Sequence, residues 1–340
     1  MKNSEFKKID TIKEYLDFIG SDKEYKLKMQ ECEVCGSSEF TVLRTHTDAG
    51  NDLLAPLSVQ ACNKCGFLMQ NPRFSRIFYK RYYSEFYPKS RVRSKSNDPK
   101  DPKSLGGKKV VNEDGSPTEE HYQSALKRAK SLFSYIKNKG YQIPKNTFLD
   151  VGCGCGAFLE YFKREGFITF GNDPEPLSVE MAKRKGILID CIPGEDMQFE
   201  KDQFGLIIIM GSLEHVHDPN IILEKCWEYL VEDGLLVLQG RYYPVSESFR
   251  WLNANHHRFL THETNQAIAI KHGFKVLDST DYHVCGEGTG RKGNGFLFAQ
   301  KNTKNKRFTS KNDAEELLIE LNRKSFVKNP QGIIDFIDSH

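Results

Sequence analysis

The sequence predicts an α/β protein in which a mostly parallel sheet of seven strands is wrapped by helices and preceded by a small cysteine-bound module. Three observations carry this. From residue 119 onward, short apolar runs alternate with helix-length stretches, the pattern of βαβ units. One of those runs ends at Asp150 and opens into "VGCGCG" before a helix. Two CxxCG pairs stand well ahead of it, at Cys32/Cys35 and Cys62/Cys65.

The elements follow in order. Residues 1–28 read as an N-terminal helix, with Ile9, Ile12, Leu16 and Ile19 near helical spacing. Residues 29–87 form the cysteine module and end in the aromatic run "FYKRYYSEFYP". Residues 88–118 are rich in Lys, Ser, Pro, Asp and Gly, the composition of a linker or mobile loop. The third unit, 119–302, begins with a helix at 119–139. Its strands are "TFLDVG", "ITFGND", "ILIDCI", "GLIIIM", "GLLVLQG", "FKVLDS" and "GFLFAQK". Helices are expected at 156–165, 175–185, 219–231 and 261–272, the last with Thr261 as N-cap and Gly273 as its stop. Residues 303–340 are a polar tail with helices at 312–323 and near 331–337.

Composition narrows the function. The longest apolar run, "LIIIM", is the length of a buried strand, far short of the roughly 20 residues of a membrane span. The N-terminus mixes acids and bases through its apolar positions, unlike a secretory signal, so a cytoplasmic protein is expected. A net charge of +3 over 340 residues argues against a nucleic-acid binder, which concentrates basic charge. Nine cysteines in a reducing compartment point to metal, catalysis or packing rather than disulfides.

The two CxxCG pairs, with 26 residues between them, each aim two thiolates at one point, and the following glycine lets the chain fold back under the sulfurs. Together they supply the four soft ligands of a closed tetrahedral zinc site, whose role is structural because no coordination position stays open. The segments "FTVLRTH" and "LAPLSVQA" suit the short strands of a zinc ribbon. Cys153 and Cys155 read as small side chains tolerated in a tight loop.

In "LDVGCGCGAF" the glycines fall at Gly152, Gly154 and Gly156, with Asp150 two residues ahead. A dinucleotide fingerprint reads GxGxxG and cradles a pyrophosphate on a helix N-terminus. A carboxylate at the strand end would repel a pyrophosphate. It suits the ammonium and sulfonium of S-adenosylmethionine (SAM), while Asp173 at the end of the next strand can take both ribose hydroxyls.

These residues resemble class I SAM-dependent methyltransferases over about residues 145–300. "FLDVGCGCGAFLEYF", "GNDPEP", "GEDM" and "IIMGSLEHVHDP" resemble that family's first four motif regions, and "GLLVLQG", "HHRFLTHET" and "GF" follow as in its small-molecule branch. The resemblance implies a Rossmann-like fold. It places Asp150, Gly152, Gly154 and Gly156 at the methionyl and ribose end, Asp173 and Pro174 at the ribose, Glu195, Asp196 and Met197 around the adenine, and Gly211, Ser212 and Leu213 beside the sulfonium. Phe204-Gly205 departs from the usual "FD". The knuckles, "CGFLMQNPRFS" and the aromatic run resemble the zinc-binding module of bacterial methyltransferases that modify sugars, polysaccharide precursors or secondary metabolites.

Methyl transfer is an in-line displacement governed mainly by alignment, and a hydroxyl acceptor also needs a base, for which histidine is suited. His257 leads the candidates, followed by His256, then His215 with Glu214. Tyr242 and Tyr243 could orient a sugar. The aromatic run packs the zinc module against the sheet domain, or else its tyrosines, Tyr83 among them, close over the acceptor. The reading is a methyltransferase acting on a hydroxyl of a small sugar-containing acceptor. An RNA methyltransferase and a non-catalytic SAM-binding relative are the alternatives.

Overall fold

The computed structural model describes residues 7–50, 53–87, 111–240, 254–259, 262–285, 295–310 and 313–323. Thr261, Tyr242, Tyr243, most of the expected linker and the expected helix near 331–337 lie outside them.

The N-terminal part is built from short strands and two helices. Strand β1 (Lys7–Lys8) leads into helix α1 (Ile12–Ile19), shorter than the helix expected over 1–28. Thr11 and Glu14 form a reciprocal capping box at its start, and Gly20 stops it in the left-handed conformation. Strands β2 (Phe40–Arg44), β3 (Thr47–Gly50), β4 (Leu53–Ala55), β5 (Val59–Cys62) and β6 (Leu68–Gln70) follow. Helix α2 (Arg76–Arg81) continues as a π-helical turn over Tyr82–Phe86. Its Phe78, Tyr79, Tyr82 and Phe86 are buried in one cluster with Tyr15, Leu16 and Ile19 of α1, so packing accounts for most of the aromatic run.

Helix α3 (Glu119–Asn138), strand β7 (Thr147–Val151), helix α4 (Ala157–Arg164), strand β8 (Ile168–Asn172) and helix α5 (Pro176–Arg184) come next. Strand β9 (Phe204–Met210), helix α6 (Pro219–Tyr229) and strand β10 (Leu230–Gly240) complete the parallel part. After strand β11 (Arg258–Phe259) come helix α7 (His262–Lys271), strands β12 (Phe274–Ser279) and β13 (Gly295–Lys301), and helix α8 (Ala314–Arg323). Among the described residues the main sheet has six strands, in the order β12-β13-β10-β9-β7-β8. Strands β8, β7, β9 and β10 pair in parallel, and β13 runs antiparallel to both neighbours. The expected strand at "ILIDCI" is reduced to one bridge, Asp190 with Asn172. It stands at the sheet edge, where Leu188 is exposed.

Gly205, the departure from "FD", has a steric cause. A Cβ there would lie 1.9 Å from the backbone oxygen of Lys145, so no side chain fits.

The sequence divides the chain into a cysteine module and a sheet domain, but the core does not. One buried cluster runs from Cys32, Cys35, Cys62, Cys65, Phe67 and Met69 to Val151, Ile209 and Leu213. The second sheet of this region has the order β11-β6-β5-β2. Its fourth strand, β11, therefore comes from the segment just after His256 and His257, with Arg258 opposite Met69 and Phe259 opposite Leu68.

Candidate active site

Strand β7 ends at Val151, and the chain turns through Gly152, Gly154 and Gly156, all with positive φ. Gly152 is doubly constrained, because a Cβ there would meet the Ser212 Cβ at 2.6 Å. That close approach is locked by the Ser212 hydroxyl, which donates to Val151 O at 2.7 Å. Gly156 caps α4. The Gly154 amide donates to Asp173 Oδ2 at 2.8 Å, and the Glu175 amide donates to Asp173 Oδ1 at 2.9 Å. Asp173 thus shapes the loop as well as standing at the expected ribose position.

Asp150 is buried beside this turn, and its Oδ1 has no hydrogen-bond partner. Burial, reinforced by the charge of Asp173 and opposed by Arg128, raises its pKa to about 8. A buried carboxyl left without compensation is costly unless a cation or donor completes it. The turn thus carries a buried carboxyl that holds its proton near neutral pH and has one oxygen open to a donor or cation.

The expected adenine residues are held by protein partners. Glu195 Oε1 accepts from the amides of His217 at 2.8 Å and Asp218 at 3.3 Å, which fixes the loop after β9. Asp196 pairs with Arg76 and, at 3.5 Å, with Lys80 of α2. Met197 is fully buried, and its carbonyl accepts from Lys225 Nζ at 2.5 Å and the Tyr229 hydroxyl at 3.1 Å. Gly211 has positive φ and Leu213 is buried. Pro174 joins Asp173 to the residues that start α5.

Between β9 and β11, Glu214, His215 and His256 bring one ligand atom each within 4.8 Å of one another. His215 Nδ1 lies 2.9 Å from Asn255 O, and its ring is 4.7 Å from that of His256. Tyr83 stands edge-on to His215 at 6.1 Å. Its hydroxyl is buried without a hydrogen-bond partner, and burial raises its pKa. Tyr83 thus packs with Tyr82 and Tyr87 of the same aromatic run and also meets His215.

His257, the leading base in the sequence, is placed differently. It is fully buried, its Nδ1 lies 3.0 Å from Val216 O, and its ring is 3.8 Å from that of Tyr79. Burial, then the adjacent Arg258 and Arg73 guanidiniums, hold its pKa well below the usual histidine range. Such an imidazole stays neutral and is a weak base.

The four module cysteines converge. Cys32 Sγ is 3.4 Å from Cys65 Sγ, Cys35 Sγ is 3.5 Å from Cys62 Sγ, and all four are buried. The knuckles match. Gly36 and Gly66 donate to Cys32 O and Cys62 O, both at 2.8 Å, with φ of 70° and 72°. Tetrahedral zinc with Zn–S of about 2.3 Å sets its sulfurs ~3.8 Å apart, so this donor set fits the ion. Cys153 and Cys155 belong to no metal-binding group among the described residues.

Sequence reasoning missed Arg258. Its side chain is fully buried and reaches from β11 to the loop after β9 and to Glu33 between the first two cysteines. The only local signal was a charged residue next to His256 and His257.

Residues 149–238 match the family of the methyltransferase domain. A ubiquinone biosynthesis O-methyltransferase of Nitrobacter winogradskyi is 34% identical over 94 residues, which is 26% of this chain and 36% of that protein. The enzyme of the same name from Haemophilus ducreyi is 32% identical over 117 residues, 31% of this chain and 50% of that protein. The chain thus spans half or less of these curated relatives. A solved SAM-dependent methyltransferase from Mesorhizobium loti is similar at a TM-score of 0.42 and 15% identity, covering 50% of this chain and 97% of that one. The likeness to a methyltransferase domain thus lies in residues 149–238, which run from strand β7 to strand β10.

Proposed function

We propose that the protein is a SAM-dependent methyltransferase that methylates a hydroxyl of a small molecule. The observation that carries the reading is Asp150. A buried carboxyl with an unpartnered oxygen, set against a glycine turn in a segment that matches the methyltransferase domain, calls for a cationic ligand. The names of the curated relatives, O-methyltransferases of ubiquinone biosynthesis, support a hydroxyl acceptor. A sugar-containing acceptor rests on the resemblance of the N-terminal module alone.

SAM, when bound, supplies a methyl group on a sulfonium, which departs as a neutral thioether. Asp150 faces the ammonium end, Asp173 the ribose, and the turn at Gly152 keeps side chains out of the cofactor's path. Glu195, Asp196 and Met197 border the adenine, while Gly211, Ser212 and Leu213 flank the reacting centre. His256 and His215 are the bases that take the acceptor proton, ahead of the neutral, buried His257. Glu214 orients them, and Tyr83 donates a hydrogen bond toward the acceptor. Alignment by these groups supplies most of the catalysis. Cys32, Cys35, Cys62 and Cys65 hold a structural zinc.

The test is transfer of a labelled methyl group from SAM to a panel of catechols, phenols and sugar hydroxyls. Labelled product that vanishes in His256→Ala with SAM binding retained supports the assignment. SAM binding without product across the panel favours a non-catalytic relative.

A further inference from the structure

The four-cysteine knuckle and the candidate active site are joined most directly through the side chain of Arg258. Glu33 lies inside the first knuckle, between Cys32 and Cys35. Its Oε2 accepts from Arg258 Nε at 2.6 Å and its Oε1 from Arg258 Nη2 at 2.7 Å. The same guanidinium turns outward on its other side. Nη1 donates to Leu213 O at 2.6 Å and Val216 O at 2.7 Å, and Nη2 donates to His217 O at 3.1 Å. All five N–H donors of an arginine are thereby used, two on the knuckle and three on the loop that carries Glu214 and His215.

Other bonds run the same way. Arg73 Nη2 lies 2.6 Å from Glu33 Oε1. Lys271 Nζ donates to Glu33 O at 2.8 Å and to Asn220 Oδ1 at 2.7 Å, which ties the knuckle backbone to the start of α6. His257, next to Arg258, donates its amide to Glu214 O at 2.8 Å and accepts at its carbonyl from the Gln70 amide at 2.9 Å. A residue outside every expected site therefore holds three carbonyls of the loop that carries Glu214 and His215. Its own place is fixed by a residue that cannot move independently of two metal ligands.

We propose that Arg258 is a positioning residue that transmits the state of the four-cysteine site to the loop Leu213–His217, so that metal occupancy sets the order of the methyl-transfer site. This rests on the zinc reading and not on the identity of the acceptor. With the ion bound, the knuckle is rigid and Glu33 presents both oxygens in one plane to the guanidinium. Without it, four thiols lose their common tie, Glu33 is free to shift, and the carbonyls of Leu213, Val216 and His217 lose a preorganised donor. A lysine at 258 would keep the charge but offers a point donor in place of the planar fork.

Hydrogen–deuterium exchange on the full chain tests this, comparing zinc-loaded protein, protein stripped by chelation, and loaded Arg258→Lys and Glu33→Gln. The expected result is exchange at amides 213–217 about tenfold faster or more in all three altered states, with β7 unchanged and about one zinc per chain retained by both variants. Unchanged loop protection after stripping overturns the proposal, as does equal loss of protection in β7, which would mean that the metal supports the whole fold. A loop as protected in Glu33→Gln as in the wild type also overturns it. A chain that takes up no zinc overturns it too, and leaves the methyltransferase reading to be judged separately by SAM titration.

Discussion

Arg258 and Glu33 are 225 residues apart in sequence and meet in a fully buried bidentate pair, with N–O distances of 2.6 and 2.7 Å. Burial works against both charges, and each is held ionised by the other. The Arg258 and Arg73 guanidiniums pull the Glu33 carboxyl down to about 2, and Glu33 raises the Arg258 pKa in turn. Removing one partner strands the other in a dry site, which typically costs about 3–5 kcal/mol. Arg258→Met is therefore expected to lower unfolding free energy by roughly that amount, and adding Glu33→Leu to recover only part of it, since the buried Arg73 then loses its Glu33 partner. Urea unfolding of the single and double variants measures the difference.

Restoring the family's usual acid at position 205 should damage this protein. A Cβ there would sit 1.9 Å from Lys145 O, which is backbone and cannot turn aside. Gly205→Asp and Gly205→Ala are both expected to destabilise by about 2 kcal/mol or more through overpacking, visible as a lowered Tm. A neutral Gly205→Ala would show that β9 can shift away from residue 145.

Asp150 makes stability depend on pH in an unusual direction. Its folded pKa of about 8 lies above the ordinary value of 3.8. Between those limits the folded chain holds a proton that the unfolded chain has lost, so this group's stabilising contribution is present at low pH and fades as pH rises to 8. Asp150→Asn should remove up to ~1.4 kcal/mol per pH unit of slope, read from unfolding at pH 5.5, 6.5 and 7.5. Because a cation favours the ionised form, SAM binding at pH 6.5 should release nearly one proton, measurable by calorimetry in buffers of different ionisation enthalpy.

Cysteine substitution should act on one part of the molecule first. Cys32→Ser with Cys35→Ser is expected to abolish stoichiometric zinc and to loosen the sheet formed by β2, β5, β6 and β11, since the ion ties Cys32 and Cys35 to Cys62 at the end of β5. Metal analysis and circular dichroism report the two effects. Undiminished zinc content would rule out the four-thiolate site.

What the sequence made legible was local. The glycine turn and the cysteine knuckles announce themselves by spacing over a few residues, and both assemble at the positions that spacing implies. The helix at 119–139 and the buried strands around Leu149 and Ile208 follow from runs long enough to carry a period. Features set by distant pairing were hidden. Strand β11 has two residues, and nothing near Arg258 and Phe259 says that they pair with Met69 and Leu68. The burial of His257 likewise comes from distant parts of the chain such as Tyr79, and that burial, then the Arg258 and Arg73 guanidiniums, disfavours it as a base. "ILIDCI" reads as a strand by propensity, but at the sheet edge one bridge is all it makes.

The most direct test of the central claim is calorimetric titration of the purified chain with SAM at pH 8, beside NAD as the competing dinucleotide and Asp150→Asn as the variant. The account predicts saturable binding of one SAM per chain, no saturable heat with NAD, and affinity for SAM at least about tenfold weaker in Asp150→Asn, a loss of ~1.4 kcal/mol or more. Saturable NAD binding with none for SAM, or SAM affinity indifferent to Asp150, would contradict it.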